Sequence, residues 1–204
     1  ADVLLRSLLA AGGVRGTMGF TAILIALAAV FILVERRRLR NSSPLRPSVF
    51  AAMMAESTLY ALLLGAVVGS ATQWLLGGWG ARLAADGGAL LDLSPAQGIV
   101  LSLGAGIYEE LLFRVLLAGG LFVLFRQGGL PSARAGVFAA ILSALAFSAF
   151  HYIGPYGDAW ALGSFTFRFL AGLAFSALFL VRGFGITAWT HALYDIFLLL
   201  AHRG

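Results

Sequence analysis

Apolar stretches of about 20 residues, each long enough to cross a bilayer once, recur along this chain with only short polar breaks between them. Lipid offers no partner to an unpaired backbone group, so such a chain must close its hydrogen bonds within each segment or within a closed barrel. Stretches this rich in Leu, Ala, Gly and Phe select the helix. With 204 residues, 60% hydrophobic and 11% charged, there is room for one membrane domain spanning residues 1–204. The expected fold is all-α, a polytopic bundle of about six spans with an N-terminal interfacial helix.

Composition removes several chemistries. The chain has no Cys, which excludes disulfides, thiolate nucleophiles and Cys-ligated metals. It has no Lys, which excludes a Ser–Lys dyad. The formal charge of +5 therefore rests on Arg, concentrated at the breaks between spans, where it marks topology and implies no nucleic-acid partner. The partners implied are the bilayer and a substrate within it.

Along the chain, residues 1–16 carry Arg6 and Arg15 among leucines and read as an interfacial helix. Residues 17–34 form a first span, ended by Glu35-Arg36-Arg37-Arg38-Leu39-Arg40, a run that the positive-inside rule places in the cytoplasm. Residues 50–76 form a second span containing Gly65-x-x-x-Gly69, a spacing that permits close helix contact. After a Gly-rich loop, Ser94-Pro95-Ala96-Gln97 reads as a capping box that starts a third span reaching to about Arg126. A fourth span covers residues 132–151, a fifth 160–181 and a sixth 186–200. The Ala- and Arg-rich, Lys-free composition points to a GC-rich bacterium and so to its inner membrane.

The third span holds what a membrane helix should lack. Glu109, Glu110 and Arg114 lie in its apolar middle, and each such group costs about 2.5–3.5 kcal/mol at the bilayer centre. Glu110 and Arg114, at i,i+4, can neutralise each other and read as structural. Glu109 lies about 100° round the helix and is left as the free carboxylate. The fourth span ends Phe147-Ser148-Ala149-Phe150-His151, and the sixth carries His191-Ala192-Leu193-Tyr194-Asp195. His191 and Asp195 point the same way and can share one hydrogen-bonded species. Asp158 and Arg168 read as a gate, an ion pair or topology marks, and His202 as a plain chain-end residue.

Depth tests whether these groups can meet. Glu109 and His151 each stand 17 positions from an Arg at the presumed inner surface, Arg126 and Arg134, or roughly 25 Å by helix rise. That level favours a cavity opening toward the outer face. From Arg182, His191 is only roughly 14 Å up. The mismatch shrinks if Arg182-Gly183-Phe184-Gly185 forms a re-entrant break inside the bundle.

Two carboxylates and two imidazoles can run hydrolysis without a covalent intermediate. A buried Glu serves as base, a His fixes the water, and a further donor stabilises the oxyanion. The same residue types could hold zinc, although no HExxH is present.

Glu109-Glu110-x-x-x-Arg114, Phe147-x-x-x-His151 and His191-x-x-x-Asp195, in that order on three core spans, resemble the three motifs of the CAAX protease and bacteriocin-processing (Abi) family. The resemblance covers residues 94–200. It implies a glutamate-dependent intramembrane endopeptidase that needs no cofactor or metal. Glu109 would be the base, His151 would hold the water, and His191 with Asp195 would stabilise the oxyanion. Glu110, Arg114 and Phe147 would brace the site. The Ras-converting relatives carry Asn where this chain has Asp195, so Asp195 must be protonated or must orient His191. The implied substrate is a membrane-associated protein or peptide, cut at a C-terminal tail, sorting signal or leader. The rival readings are a zinc-dependent membrane hydrolase using His151, His191 and Glu109, and a non-catalytic scaffold or transporter subunit.

Overall fold

The computed structural model describes residues 46–77, 95–153 and 157–201, and these are helical throughout apart from short connections. The expected interfacial helix, the first span, the basic run Arg36–Arg40, the Ser94 cap and His202 lie outside the described residues. Residues 51–204 form one compact unit, and the tertiary contacts below lie within it.

Helix α1 is Pro47–Leu76, with proline at its first position, where the missing N–H has no helical partner to lose. Its buried stripe is narrow and small: Ser57, Ala61, Leu64, Val68 and Thr72. Leu59, Leu62, Val67 and Trp74 face outward, as befits a helix whose solvent is lipid. Gly65 of the small-residue pair packs within this chain, where an added Cβ would lie 3.0 Å from the Tyr194 ring, while Gly69 meets nothing within 4 Å.

The third expected span is one continuous rod of changing pitch. It begins as α2 (Pro95–Glu110), widens into a π-helical segment (Leu111–Ala118) and closes as α3 (Gly119–Gln127). Such π segments are rare and concentrate at functional sites. Here the wide segment starts immediately after Glu109 and Glu110 and contains the buried neighbours Phe113 and Arg114. The Ser143 hydroxyl of the next helix donates to the Phe113 carbonyl inside it.

A tight turn through Gly129 (φ +86°) reverses the chain, with Leu130 N–H donating to the Phe125 carbonyl at 3.0 Å. Helix α4 (Ser132–Phe150) then runs back beside the rod. Arg126 and Arg134 therefore flank one end of this hairpin, and His151 caps the other.

Helix α5 is Leu162–Ala201. At 1.5 Å per residue a straight helix of 40 residues would be about 60 Å long, twice the hydrocarbon thickness. It is not straight. Gly183 has φ 80° and ψ 177°, a conformation that residues with a Cβ avoid, and the chain folds back there. Phe175 and His191 would be about 24 Å apart along one straight helix, yet their rings stack with centroids 4.7 Å apart. Phe167 and Tyr194, further still from the bend, stack at 6.2 Å. The two arms are thus antiparallel, each about 20 residues long, and cover the residues read from sequence as a fifth and a sixth span.

At Arg182–Gly185, where the two glycines allow a re-entrant break, the chain makes this bend. It is held against α1, where Ser57 Oγ donates to the Ile186 carbonyl at 3.4 Å and Arg182 pairs with Glu56. Arg182 therefore lies at the bend that joins the two arms.

Three helices among the described residues are long and apolar enough to cross a membrane: Pro47–Leu76, Ser132–Phe150 and Leu162–Ala201. The second arm of α5 lies closest to α2. A Cβ on Gly106 would lie 2.5 Å from the Ala188 carbonyl and 2.8 Å from the Ala192 Cβ, so only glycine allows this approach. That contact, one turn before Glu109 and Glu110, brings their carboxylates to His191.

Candidate active site

Glu110 is the most enclosed acid of the site, with 0% of its surface exposed, and Arg114 is 1% exposed. The i,i+4 pairing expected from sequence is present, with Arg114 Nε 3.0 Å from Glu110 Oε2. Arg114 also donates from Nη2 to the Gly172 carbonyl at 3.3 Å, and its guanidinium lies 4.5 Å from the Phe147 ring centroid and 5.4 Å from that of Phe175. A buried cation is thus matched by one carboxylate, one carbonyl and two aromatic faces.

The second oxygen of Glu110 has a task that the sequence did not disclose. Oε1 lies 2.7 Å from His191 Nδ1. Because the carboxylate is neutralised by Arg114, it can only accept, so Nδ1 carries the proton and the imidazole is fixed in orientation. Phe175 stacks on the same ring, and Phe147 meets it edge-on at 6.0 Å.

The other nitrogen, His191 Nε2, faces Asp195 Oδ2 at 3.7 Å and Glu109 Oε2 at 3.9 Å. Neither is a hydrogen bond, so Nε2 is not committed to either carboxyl group. Glu109, 7% exposed, keeps slightly more access than Glu110.

His151 closes the set from the end of α4. Its Nδ1 lies 2.8 Å from the Phe147 carbonyl, which can only accept, so the Nδ1 hydrogen is committed there and Nε2 is left free. An imidazole whose Nδ1 hydrogen is so committed can, when neutral, present a lone pair on Nε2. Phe147 sits between the two histidines, 5.0 Å from the His151 ring, and is itself wedged edge-on by Phe113 at 5.3 Å.

All seven residues singled out from sequence thus gather in one place. Phe175, the Gly172 carbonyl, Ser143 and the π-helical widening were not anticipated. One phenylalanine among 16 carries no mark of its neighbours, and a backbone carbonyl carries none at all. Among the described residues, no three His, Asp or Glu side chains are grouped so as to hold a metal ion.

Residues 92–197 match the family model described as type II CAAX prenyl endopeptidase Rce1-like, over just over half of the chain. The chain belongs to that family. Every residue of the CAAX prenyl endopeptidase motifs named above, and the Asp158–Arg168 pair, falls inside the match. Membership in this protease family, with the three span-capable helices, makes the chain an integral membrane protein and supports a membrane endopeptidase. No curated protein and no solved structure matches the chain.

Proposed function

We propose that this protein is a glutamate-dependent intramembrane endopeptidase that hydrolyses a peptide bond near the end of a membrane-associated protein or peptide. The observation that carries this reading is the asymmetry of His191: Nδ1 is tied to Glu110 at 2.7 Å, while Nε2 opens on Glu109 and Asp195 across gaps of 3.9 and 3.7 Å. In this reading Glu109 takes a proton from a water that His151 Nε2 also holds. The water oxygen attacks the scissile carbonyl carbon, and charge develops on the carbonyl oxygen. His191, protonated on both nitrogens, presents Nε2–H to that oxyanion, and a protonated Asp195 adds a second donor. Collapse of the tetrahedral intermediate returns the proton from Glu109 to the leaving amine, so no covalent enzyme intermediate forms.

The bonds that Glu110 makes to Arg114 and His191 give it a positioning role. Its charge is already committed, so it is unsuited to act as the base. The family name points to prenylated tails of the CAAX pattern as the first substrate class to try, with leader and sorting-signal peptides after it.

The test is cleavage of membrane-anchored, internally quenched peptides of these classes by the full chain in proteoliposomes, with mass spectrometry of the products in labelled water. Wild type should cut at one bond and place one solvent oxygen in the new carboxylate. Glu109→Gln should lose cleavage while remaining folded, and full activity in that variant would refute the mechanism.

A further inference from the structure

Beyond the site already described, one cluster contains buried donors that lack protein partners. Arg168, on the first arm of α5, uses Nη2 for an ion pair with Asp158 and lies over the Tyr152 ring with its guanidinium carbon 5.3 Å from the centroid. Its Nη1 is buried and has no hydrogen-bond partner, and the Tyr152 hydroxyl beside it is likewise buried and unpartnered. A buried polar group without a partner is costly, and two in one cluster call for a ligand that supplies acceptors.

The cluster borders the site on two sides. Asp158 N–H donates to the His151 carbonyl at 2.9 Å, which fixes the partner of Arg168 against His151. Ser148 Oγ donates to the Phe165 carbonyl at 2.7 Å, holding the start of the arm against the end of α4. On the other side Phe167, the neighbour of Arg168, stacks on Tyr194, the neighbour of Asp195. Arg168 thus lies between the His151 end and the Asp195 end of the catalytic cluster. Among the described residues, Arg114 pairs with Glu110 on the other side of the His191 ring, Arg182 pairs with Glu56, and Arg126 and Arg134 lie at the far end of α4. A guanidinium has five N–H donors in a planar fork and can serve two carboxylates at once.

We propose that Arg168 Nη1 and the Tyr152 hydroxyl form the receptor for the C-terminal carboxylate of the substrate, with Asp158 holding the guanidinium in place. This rests on the peptidase reading above and deepens it, since it makes the enzyme one that measures its cleavage site from the free end of the chain. A carboxylate supplies two acceptor oxygens for the two orphan donors and a charge that matches Arg168. An amide at the same position supplies one acceptor, presents an N–H to the cation and loses the charge.

The experiment uses one prenylated CAAX-pattern peptide as its free acid and as its C-terminal amide, with the full chain in vesicles of neutral phospholipid. Wild type should prefer the acid in kcat/KM by roughly 10- to 100-fold, the cost of stranding a charged donor. Arg168→Gln should bring the acid-to-amide ratio close to one, and Tyr152→Phe should lower it less. Equal cleavage of acid and amide by wild type overturns the proposal, as does a preference that survives Arg168→Gln. Binding of the same two peptides to the Glu109→Gln protein reads the receptor without turnover. If wild type cleaves neither peptide but Glu109→Gln binds the acid selectively, the peptidase reading fails and the receptor stands; equal binding of both overturns the receptor. Acid preference in neutral vesicles is expected to weaken when anionic lipid that competes for Arg168 is added, and a preference seen only in anionic vesicles overturns the proposal.

Discussion

The two edges of the His191 ring lie in opposite kinds of surroundings. On the Nδ1 side the groups are in direct contact: Glu110 accepts from His191 and pairs with Arg114, which is further held by the Gly172 carbonyl and two aromatic faces. On the Nε2 side two carboxyl groups stand off at 3.7 and 3.9 Å with no protein group between them. The difference teaches where rigidity ends and chemistry begins. A ring held on one edge can present the other at a fixed place, and an Nε2 not bonded to its neighbours is open to a group that enters beside it. Adjacent glutamates, identical in type, are assigned to opposite edges by one helical step.

The largest expected effect comes from removing the carboxylate on the open edge. Glu109→Gln keeps the size of the side chain and, in the proposed mechanism, loses the base, so the cleavage rate should fall by roughly 10²- to 10⁴-fold. Its thermal unfolding midpoint should stay within a few degrees of wild type, since no protein hydrogen bond to Glu109 is among those described. Rate and midpoint measured on one preparation decide the matter, because a variant that loses both has lost its fold and not its base.

Breaking the closed edge should give the converse pattern. Arg114→Ala leaves Glu110 as an uncompensated buried charge, a change that typically costs about 3–5 kcal/mol. Glu110→Gln strands Arg114 by the same amount and also frees the His191 ring. Both should lower yield and unfolding temperature in detergent, and Glu110→Gln should lower activity as well. A Glu110→Gln protein as stable as Glu109→Gln would erase the distinction between the two edges.

That distinction was legible in the sequence only in part. The i,i+4 spacing of Glu110 and Arg114 fixes their pairing within one helix, and the order of the three motifs identifies the residues that gather. Gly183 and Gly185 marked the place where the chain turns back, because glycine alone accepts the backbone found at Gly183. The bond from Glu110 to His191 was not legible, since it joins positions 81 apart and depends on how closely α2 approaches the second arm at Gly106. The π-helical widening was not legible either, because Leu111–Ala118 reads as ordinary apolar helix by composition and period. Arg168 and Asp158 could be read equally as a gate, an ion pair or topology marks until the loop between α4 and α5 placed Asp158 on the His151 carbonyl.

A smaller effect should separate the two roles open to Asp195. If it donates to the oxyanion in its protonated form, Asp195→Asn supplies an N–H in the same place and should keep the rate within about tenfold of wild type, whereas Asp195→Ala should fall by roughly 10²-fold or more. If it serves as an ionised acceptor that orients His191, Asn and Ala should be equally impaired. Steady-state cleavage by the two variants tells these apart.

The smallest expected effect is none, and it concerns the zinc alternative. A zinc site needs ligand atoms free to converge on one point. Here Nδ1 of His191 is taken by Glu110 and Nδ1 of His151 by the Phe147 carbonyl, an arrangement that zinc-ligating histidines share, so the two alternatives part on the response to chelation. Among the described residues no three candidate ligands are grouped to hold a metal. Glu109 and His151 can activate water between them without a Lewis acid. On the proposed mechanism, prolonged dialysis against a strong chelator should leave the cleavage rate unchanged, and elemental analysis of the purified protein should find no stoichiometric zinc. One zinc per chain, lost together with activity and restored with it, would turn the open edge of His191 from a water site into a metal site.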